Sequence, residues 1–384
     1  MKKKICFLTS TRADYGLQKN LIKKFKSNKD IETKIIACGT HFSAKFGNTI
    51  KEIKKDSLKV DFNIKINISD DSAYGSSNFF ASLSSKFNKI IRKVNPDLLI
   101  ILGDRFEMLA AASIAVIHNI PICHLHGGES TEGVIDDSIR HAITKLSSLH
   151  FVAHKKYRDR VIQMGENPKN VHCVGALGLG SIINKNFSNK LQIENLLNIK
   201  MREKNLIVTY HPVTLTKNSI KDITELLSAL NFFKEICFII TSPNMDTEHN
   251  KIITKIKNFV KKNDNAYFFK SLGKETYFDL LNSFDGVLGN SSSGIIEVPS
   301  FKKATINIGE RQKGRIQSKS VINCKPLKKN IIVSIKKIFS HKFKKKLKQN
   351  KNLYYLQGTE NKIFNIIKKT NLKDLKRKCF FDNV

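Results

Sequence analysis

Short, almost wholly apolar runs alternate along this chain with longer segments in which apolar residues recur every three or four positions. Runs of the first kind suit strands buried on both faces, and segments of the second kind suit amphipathic helices. The alternation therefore predicts parallel sheets covered by helices. Strands are expected at Lys4–Leu8, Lys34–Cys38, Val60–Ile66, Asp97–Leu102, Pro121–Leu125, Leu149–Ala153 and Val171–Val174. Helices are expected between them at Leu17–Ser27, Phe79–Val94, Phe106–His118, Asp136–Ser148 and Lys155–Met164. The rhythm then restarts, with strands Leu206–Tyr210, Cys237–Thr241, Ala266–Lys270, Gly286–Leu288 and Ala304–Ile308, and helices near Lys221–Phe233, Glu248–Lys262, Lys274–Ser283 and Gly294–Pro299.

Such a restart implies two similar α/β domains of Rossmann type. Between Gly180 and Lys204 the rhythm lapses and Asn, Lys and Ser accumulate, which puts the domains at 1–185 and 186–384. A helical pattern at Lys362–Lys369 is expected to pack back across the hinge. Open parallel sheets bind ligands beyond the carboxyl ends of their strands, so the expected active site is a cleft between the domains.

Composition changes this picture little. The 384 residues suffice for two cores, and no apolar stretch approaches the roughly 18 residues that cross a bilayer. The basic, apolar opening Met1-Lys2-Lys3-Lys4-Ile5-Cys6-Phe7-Leu8 turns polar at Thr9 and reads as a first strand, not a leader. Seven scattered cysteines without a C-x-x-C pair fit small core residues in a reducing cytoplasm. A net charge of +34 invites a nucleic-acid reading, but its lysines are spread through nearly every helix. No helix-turn-helix, RNP or zinc-finger pattern accompanies them, so nucleic acid and membrane are not expected partners.

Candidate chemistry sits at the expected strand ends. Gly289-Asn290-Ser291-Ser292-Ser293-Gly294 follows one strand and opens a helix-like run, the arrangement that offers backbone N–H groups and hydroxyls to a phosphate. Glu297, one turn on, repels phosphate but can accept from a ribose diol, so the segment reads as a nucleotide site. Its plainer reading is a Ser/Gly loop that caps a helix. Thr9–Gly16 holds Arg12 after the first strand, suited to a pyrophosphate or to a structural pair with Asp14. Asp104, in Gly103-Asp104-Arg105-Phe106-Glu107, is a candidate base or an N-cap. His124 to Glu129, with Gly127 and Gly128, and Asp136-Asp137-Ser138-Ile139-Arg140-His141 form the densest group. Its ligand spacing matches no compact metal motif, and mutually perturbed carboxylates suited to proton transfer fit better. His211, held before Pro212, closes the first strand of the second domain.

Taken in order, Arg12–Gly16, Gly103–Glu107, His126–Glu129, Ile135–Leu146, His211–Thr214, Gly289–Glu297 and Asn307–Arg315 resemble the hydrolysing UDP-N-acetylglucosamine 2-epimerases of sialic-acid and related nonulosonic-acid pathways. The resemblance implies a GT-B-like pair of Rossmann-like domains, a homo-oligomer (dimer or tetramer), and no cofactor or metal. It implies proton abstraction at C2 of the sugar with loss of the nucleoside diphosphate from C1, then addition of water to a glycal-type intermediate. On this resemblance Asp104, Glu129 and Asp136 form the acid/base set, and His211 stabilises the departing diphosphate. Arg12, Gly16, Arg105, Asn244, Ser291, Ser292, Ser293 and Arg311 would hold the nucleotide, and Glu297 the ribose. Many relatives carry a carboxylate where His126 stands. Either His126 takes over one proton transfer, or Glu129 and Asp136 suffice. The same motifs serve the legionaminic-acid variant, which takes UDP- or GDP-N,N'-diacetylbacillosamine. A GT-B glycosyltransferase would share the nucleotide site but has no use for the acidic cluster.

Overall fold

A computed structural model describes residues 2–43, 47–67, 72–132, 134–183, 185–213, 218–243 and 248–382. The chain divides into two compact units. One comprises Met1–Glu129, Asp136–Gly180 and Tyr354–Val384, and the other comprises Ser130–Ile135 and Ser181–Leu353. This division differs from the expected 1–185 and 186–384 at three segments, Ser130–Ile135, residues 181–185 and Tyr354–Val384.

Among the described residues, the first unit holds a seven-stranded parallel sheet. Its strands are β1 (Lys3–Thr9), β2 (Ile31–Ala37), β3 (Phe62–Asn63), β4 (Leu98–Leu102), β5 (Ile122–Leu125), β6 (Leu149–Val152) and β7 (Val171–Cys173), in the order β3-β2-β1-β4-β5-β6-β7. The second unit holds a six-stranded parallel sheet of β8 (Lys204–Thr209), β9 (Ile236–Thr241), β10 (Ala266–Phe269), β11 (Gly286–Gly289), β12 (Ala304–Ile308) and β13 (Val321–Cys324), in the order β10-β9-β8-β11-β12-β13. Both sheets run outward in both directions from their first strand. Each therefore has a switch point, β1 beside β4 and β8 beside β11, where the following loops diverge and leave room for a ligand.

The central strands are apolar because both faces are covered. Every residue of β4, Leu-Leu-Ile-Ile-Leu, is buried, as is every residue of β12. At the edge, the expected strand Val60–Ile66 shrinks to two residues. There Asp61 turns its carboxylate onto the Ile35 N–H at 2.9 Å, substituting a side chain for a ladder bond. Short edge strands of this kind limit unwanted pairing. The four-residue edge strand β13 was not anticipated.

The helix Arg12–Lys26 starts at a reciprocal capping box between Thr11 and Asp14 and ends on Lys23, Lys24 and Lys26, which suit the negative end of its dipole. The helix Thr359–Lys369 belongs to the first unit, where Ile363, Phe364 and Ile367 join the core and Phe364 meets Phe25 edge-on at 5.0 Å. Burying each such side chain is worth about 1.5–3 kcal/mol. Of the cysteines, Cys6, Cys38, Cys123, Cys237 and Cys324 are buried, Cys173 is half-buried and Cys379 is exposed, so the core expectation fails for Cys379.

Candidate active site

In the first unit, β4 is followed by Gly103, whose positive φ of 86° turns the chain sharply and sets Asp104 at the switch point. The Asp104 carboxylate pairs with Arg140, from the helix Asp136–Leu146. Arg140 is 1% exposed, and through Nη1 it also donates to Asp137 Oδ1 at 3.0 Å and to the Glu129 carbonyl at 3.0 Å. Burial works against its charge, but Asp104 and then Glu129 outweigh that, so the pKa of Arg140 is raised and the guanidinium stays charged. Asp104, Asp137 and the Glu129 segment are thus gathered by one cation. Asp136 opens the same helix and is half-buried; it is Asp137, one residue on, that reaches Arg140.

Gly128 allows the turn that leads into Glu129. Its φ is 75°, and a Cβ there would stand 2.5 Å from the Tyr157 carbonyl oxygen. Glu129 is 2% exposed, with Oε1 3.4 Å from His126 Nδ1. His124, fully buried, links this region to Asp104: Nε2 is 2.8 Å from the Gly103 carbonyl oxygen and Nδ1 is 3.1 Å from Thr144 Oγ1. Burial pushes its pKa down to about 3, so the ring is neutral and Nε2–H donates to Gly103.

Arg12 begins the helix after β1. The loop before it is clamped by buried Asp14, which accepts from the N–H groups of Ser10 at 2.9 Å and Thr11 at 3.0 Å, and from the Thr9 hydroxyl. Burial raises the pKa of that carboxyl, and these hydrogen bonds oppose the rise. Thr9 Oγ1 also lies 2.9 Å from Nε2 of His41, whose pKa burial lowers to about 4. Arg12 Nη1 is buried without a hydrogen-bond partner among the described residues, and burial lowers the pKa of the guanidinium against the pull of Glu52. Gly16 lies one turn further along the same helix. Arg105 instead pairs with Glu107, Nε to Oε2 at 3.2 Å.

The two neutral histidines predict acid sensitivity. Their folded pKa values, about 3 and about 4, lie below the unfolded 6.5. The unfolded chain therefore takes up more protons below pH 6.5, and stability falls as pH falls, until about 4 for His41 and about 3 for His124. At about 1.4 kcal/mol per pH unit each, the loss by pH 5 is about 4 kcal/mol. Thermal melts at pH 7 and pH 5 should show this fall, and equal melting temperatures would contradict the neutral assignment.

In the second unit the switch point joins β8 and β11. Gly289, at φ 135°, lies so close to the Thr209 carbonyl that a side chain would collide with it. The next residue, Asn290, is fully buried and organises the site. Its Oδ1 accepts the His211 N–H at 2.6 Å, its Nδ2 donates to the His211 carbonyl at 2.8 Å, and its own carbonyl accepts Gln312 Nε2 at 2.9 Å and Arg311 Nη1 at 3.3 Å. His211, the serine loop and Arg311 are therefore drawn together by a residue that had no assigned role in the sequence reading. Arg311 Nε is also buried without a hydrogen-bond partner among the described residues.

The helix expected at Gly294–Pro299 is a single turn, Ser293–Ile296, followed by a 3-10 turn, Val298–Phe301. Pro299 has no N–H to continue an α-helix. Ser291 Oγ is 3.4 Å from the Ser293 nitrogen, Ser292 stands at the N-cap position without a side-chain cap bond, and Ser293 Oγ meets the Tyr277 hydroxyl at 2.7 Å. Glu297 ends the turn. The pKa of the Tyr277 hydroxyl is raised, first by burial and then by the Glu297 charge. Tyr277 is thus a site residue that the sequence reading missed; it lies on the helix Gly273–Ser283, away from every motif. Asn244 lies outside the described residues.

A protein-family model described as UDP-N-acetylglucosamine 2-epimerase matches residues 23–368. The GDP/UDP-N,N'-diacetylbacillosamine 2-epimerase (hydrolyzing) of Campylobacter jejuni is 40% identical over 385 residues, covering 99% of each chain. Polysialic acid biosynthesis protein P7 of Escherichia coli is 37% identical over 380 residues, covering 97% of this chain and 96% of its own. Among solved structures, UDP-GlcNAc 2-epimerase from Neisseria meningitidis bound to UDP-GlcNAc superposes with a TM-score of 0.81 at 18% identity. That match covers 96% of this chain and 100% of the other, and shows a shared GT-B-like fold of two Rossmann-like units.

Proposed function

This chain belongs to the UDP-N-acetylglucosamine 2-epimerase family and is a hydrolysing nucleotide-sugar 2-epimerase, and we propose that its substrate is UDP- or GDP-linked N,N'-diacetylbacillosamine. The observation that carries the choice of sugar is the 40% identity, over 99% of both chains, to the Campylobacter jejuni enzyme of that name. A second reading, UDP-N-acetylglucosamine giving free N-acetylmannosamine, is favoured by the description of the family model.

Either sugar would undergo the same chemistry. A carboxylate takes the C2 proton while the C1–O bond breaks and the nucleoside diphosphate leaves with the bonding pair, giving a glycal. Water then adds its oxygen at C1, and a proton is delivered to the opposite face of C2. The balance is nucleotide sugar plus water to nucleoside diphosphate plus free 2-epimer, with no net oxidation or reduction. Asp104 and Glu129 are assigned to proton transfer, together with the Asp136–Asp137 pair. Arg140 supports this reading by setting a permanent charge beside Asp104 and Asp137. Charge developing on the diphosphate is assigned to His211, Arg311, Arg12 and the Ser291–Ser293 loop, since fixed donors aimed at developing charge lower a barrier most. The buried, unpartnered nitrogens of Arg12 and Arg311 suit such an anion. Glu297 is assigned to the ribose hydroxyls, and Gly16, Arg105 and Asn244 remain part of the proposed nucleotide set.

The test is incubation with UDP-N-acetylglucosamine and with the UDP and GDP derivatives of N,N'-diacetylbacillosamine in heavy water. Released diphosphate and deuterium at C2 of the free sugar are expected with a bacillosamine derivative. Turnover of UDP-N-acetylglucosamine alone would replace the first reading with the second. Diphosphate release without C2 deuterium would remove the epimerase mechanism.

Tyr277→Phe should leave the fold intact but free Ser293 from its 2.7 Å contact. At about 1 kcal/mol for such a bond, calorimetry should find nucleoside diphosphate bound about fivefold more weakly. Unchanged affinity would show that Ser293 needs no anchor. The reading also includes a cytoplasmic homo-oligomer, which light scattering and cell fractionation can check.

A further inference from the structure

We propose that His126 is a positioning residue that holds the Glu129 carboxylate, and that it carries no proton to or from the sugar; this rests on the epimerase reading above. Its Nε2 accepts the backbone N–H of Leu177 at 3.0 Å. An N–H can bond only to an unprotonated ring nitrogen, so the proton of the neutral imidazole lies on Nδ1. That nitrogen stands 3.4 Å from Glu129 Oε1, at ion-pair distance. Nε2 is therefore committed to an amide, and Nδ1 faces the Glu129 carboxylate. A proton carrier must instead turn a nitrogen toward the reacting atom.

The backbone agrees with this role. His126 has a φ of 65°, a left-handed conformation uncommon for a residue with a side chain, and its N–H is tied to the Phe151 carbonyl at 2.9 Å. With Gly128 also left-handed, the chain doubles back so that Glu129 comes under the ring three residues later. Strain maintained at such a point is common at functional sites.

The discriminating variant is His126→Asn. The amide nitrogen of asparagine occupies the place of Nδ1 and keeps a donor for Glu129, and asparagine accepts left-handed backbone readily. We expect its kcat within about tenfold of the native value, with His126→Ala lower by about 10- to 100-fold and KM little changed, as for supports of reacting groups. Loss of about 10²- to 10⁴-fold in the asparagine variant as well would mark a proton carrier and overturn the proposal. Native rates in both variants would overturn it too.

A second measurement does not depend on the variants folding. Nitrogen-15 labelling of the histidines in the native protein, without substrate, should show His126 protonated at Nδ1 and bare at Nε2. The reverse tautomer would sink the proposal even if the enzyme is active. Absence of epimerase activity on every nucleotide sugar would instead sink the proposed function and leave the tautomer result standing.

Discussion

Asp104→Asn is expected to lower kcat by about 10²- to 10⁴-fold while leaving nucleoside diphosphate affinity within about twofold. Asparagine nearly matches aspartate in shape, and its Oδ1 can still accept from Arg140, so the pairing at the end of β4 survives in weakened form. What disappears is the capacity to accept a proton. Steady-state release of diphosphate gives the first quantity and calorimetric titration gives the second. Near-native turnover would remove Asp104 from the acid/base set. A parallel loss of affinity would mean that the substitution had disturbed the loop and not the chemistry.

Arg140→Met should have the largest effect on stability. The guanidinium is 1% exposed and serves the Asp104 carboxylate, the Asp137 carboxylate and the Glu129 carbonyl together. Methionine fills much of the volume but leaves these acceptors without their cation. Removing one partner of a buried pair costs 3–5 kcal/mol. Because side chains of Asp104 and Asp137 remain 24% and 28% exposed, the low end, about 3 kcal/mol, applies. For a unit of this size the melting temperature should fall by roughly 6–12 °C. A melt within 2 °C of native would show that water already carries most of that charge. Arg140→Lys is no substitute, since one ammonium cannot reproduce the forked geometry.

How much of this was legible beforehand depended on the range of the interaction concerned. A strand such as β4 could be read because burial on both faces writes an uninterrupted apolar run. Asp104, His211 and the Ser291–Ser293 loop could be placed because each follows such a run directly. Arg140 stood in a recognised motif, yet its role could not be read, since its partners lie 3, 11 and 36 residues away in sequence. Asn290 was hidden for the opposite reason: within a Ser/Gly loop it resembles a turn former, and only the fold shows that its amide ties down His211, 79 residues away. Tyr277 sits on an ordinary amphipathic helix, where an aromatic residue reads as core. The proton location on His126 needed the Leu177 amide, which no spacing rule connects to it.

The return of Tyr354–Val384 to the first unit governs how the protein can be made. Until Ile363, Phe364 and Ile367 emerge from the ribosome, the side of Phe25 and of the first unit's core that they cover stays open. Roughly 170 residues separate Gly180 from that segment, so at about 5–20 residues per second the nascent first unit waits about 9–35 s with an open seam. Its completion is post-translational in practice, chaperones that shield apolar surface should raise its yield, and a chain halted before Tyr354 should be a substrate for proteolysis.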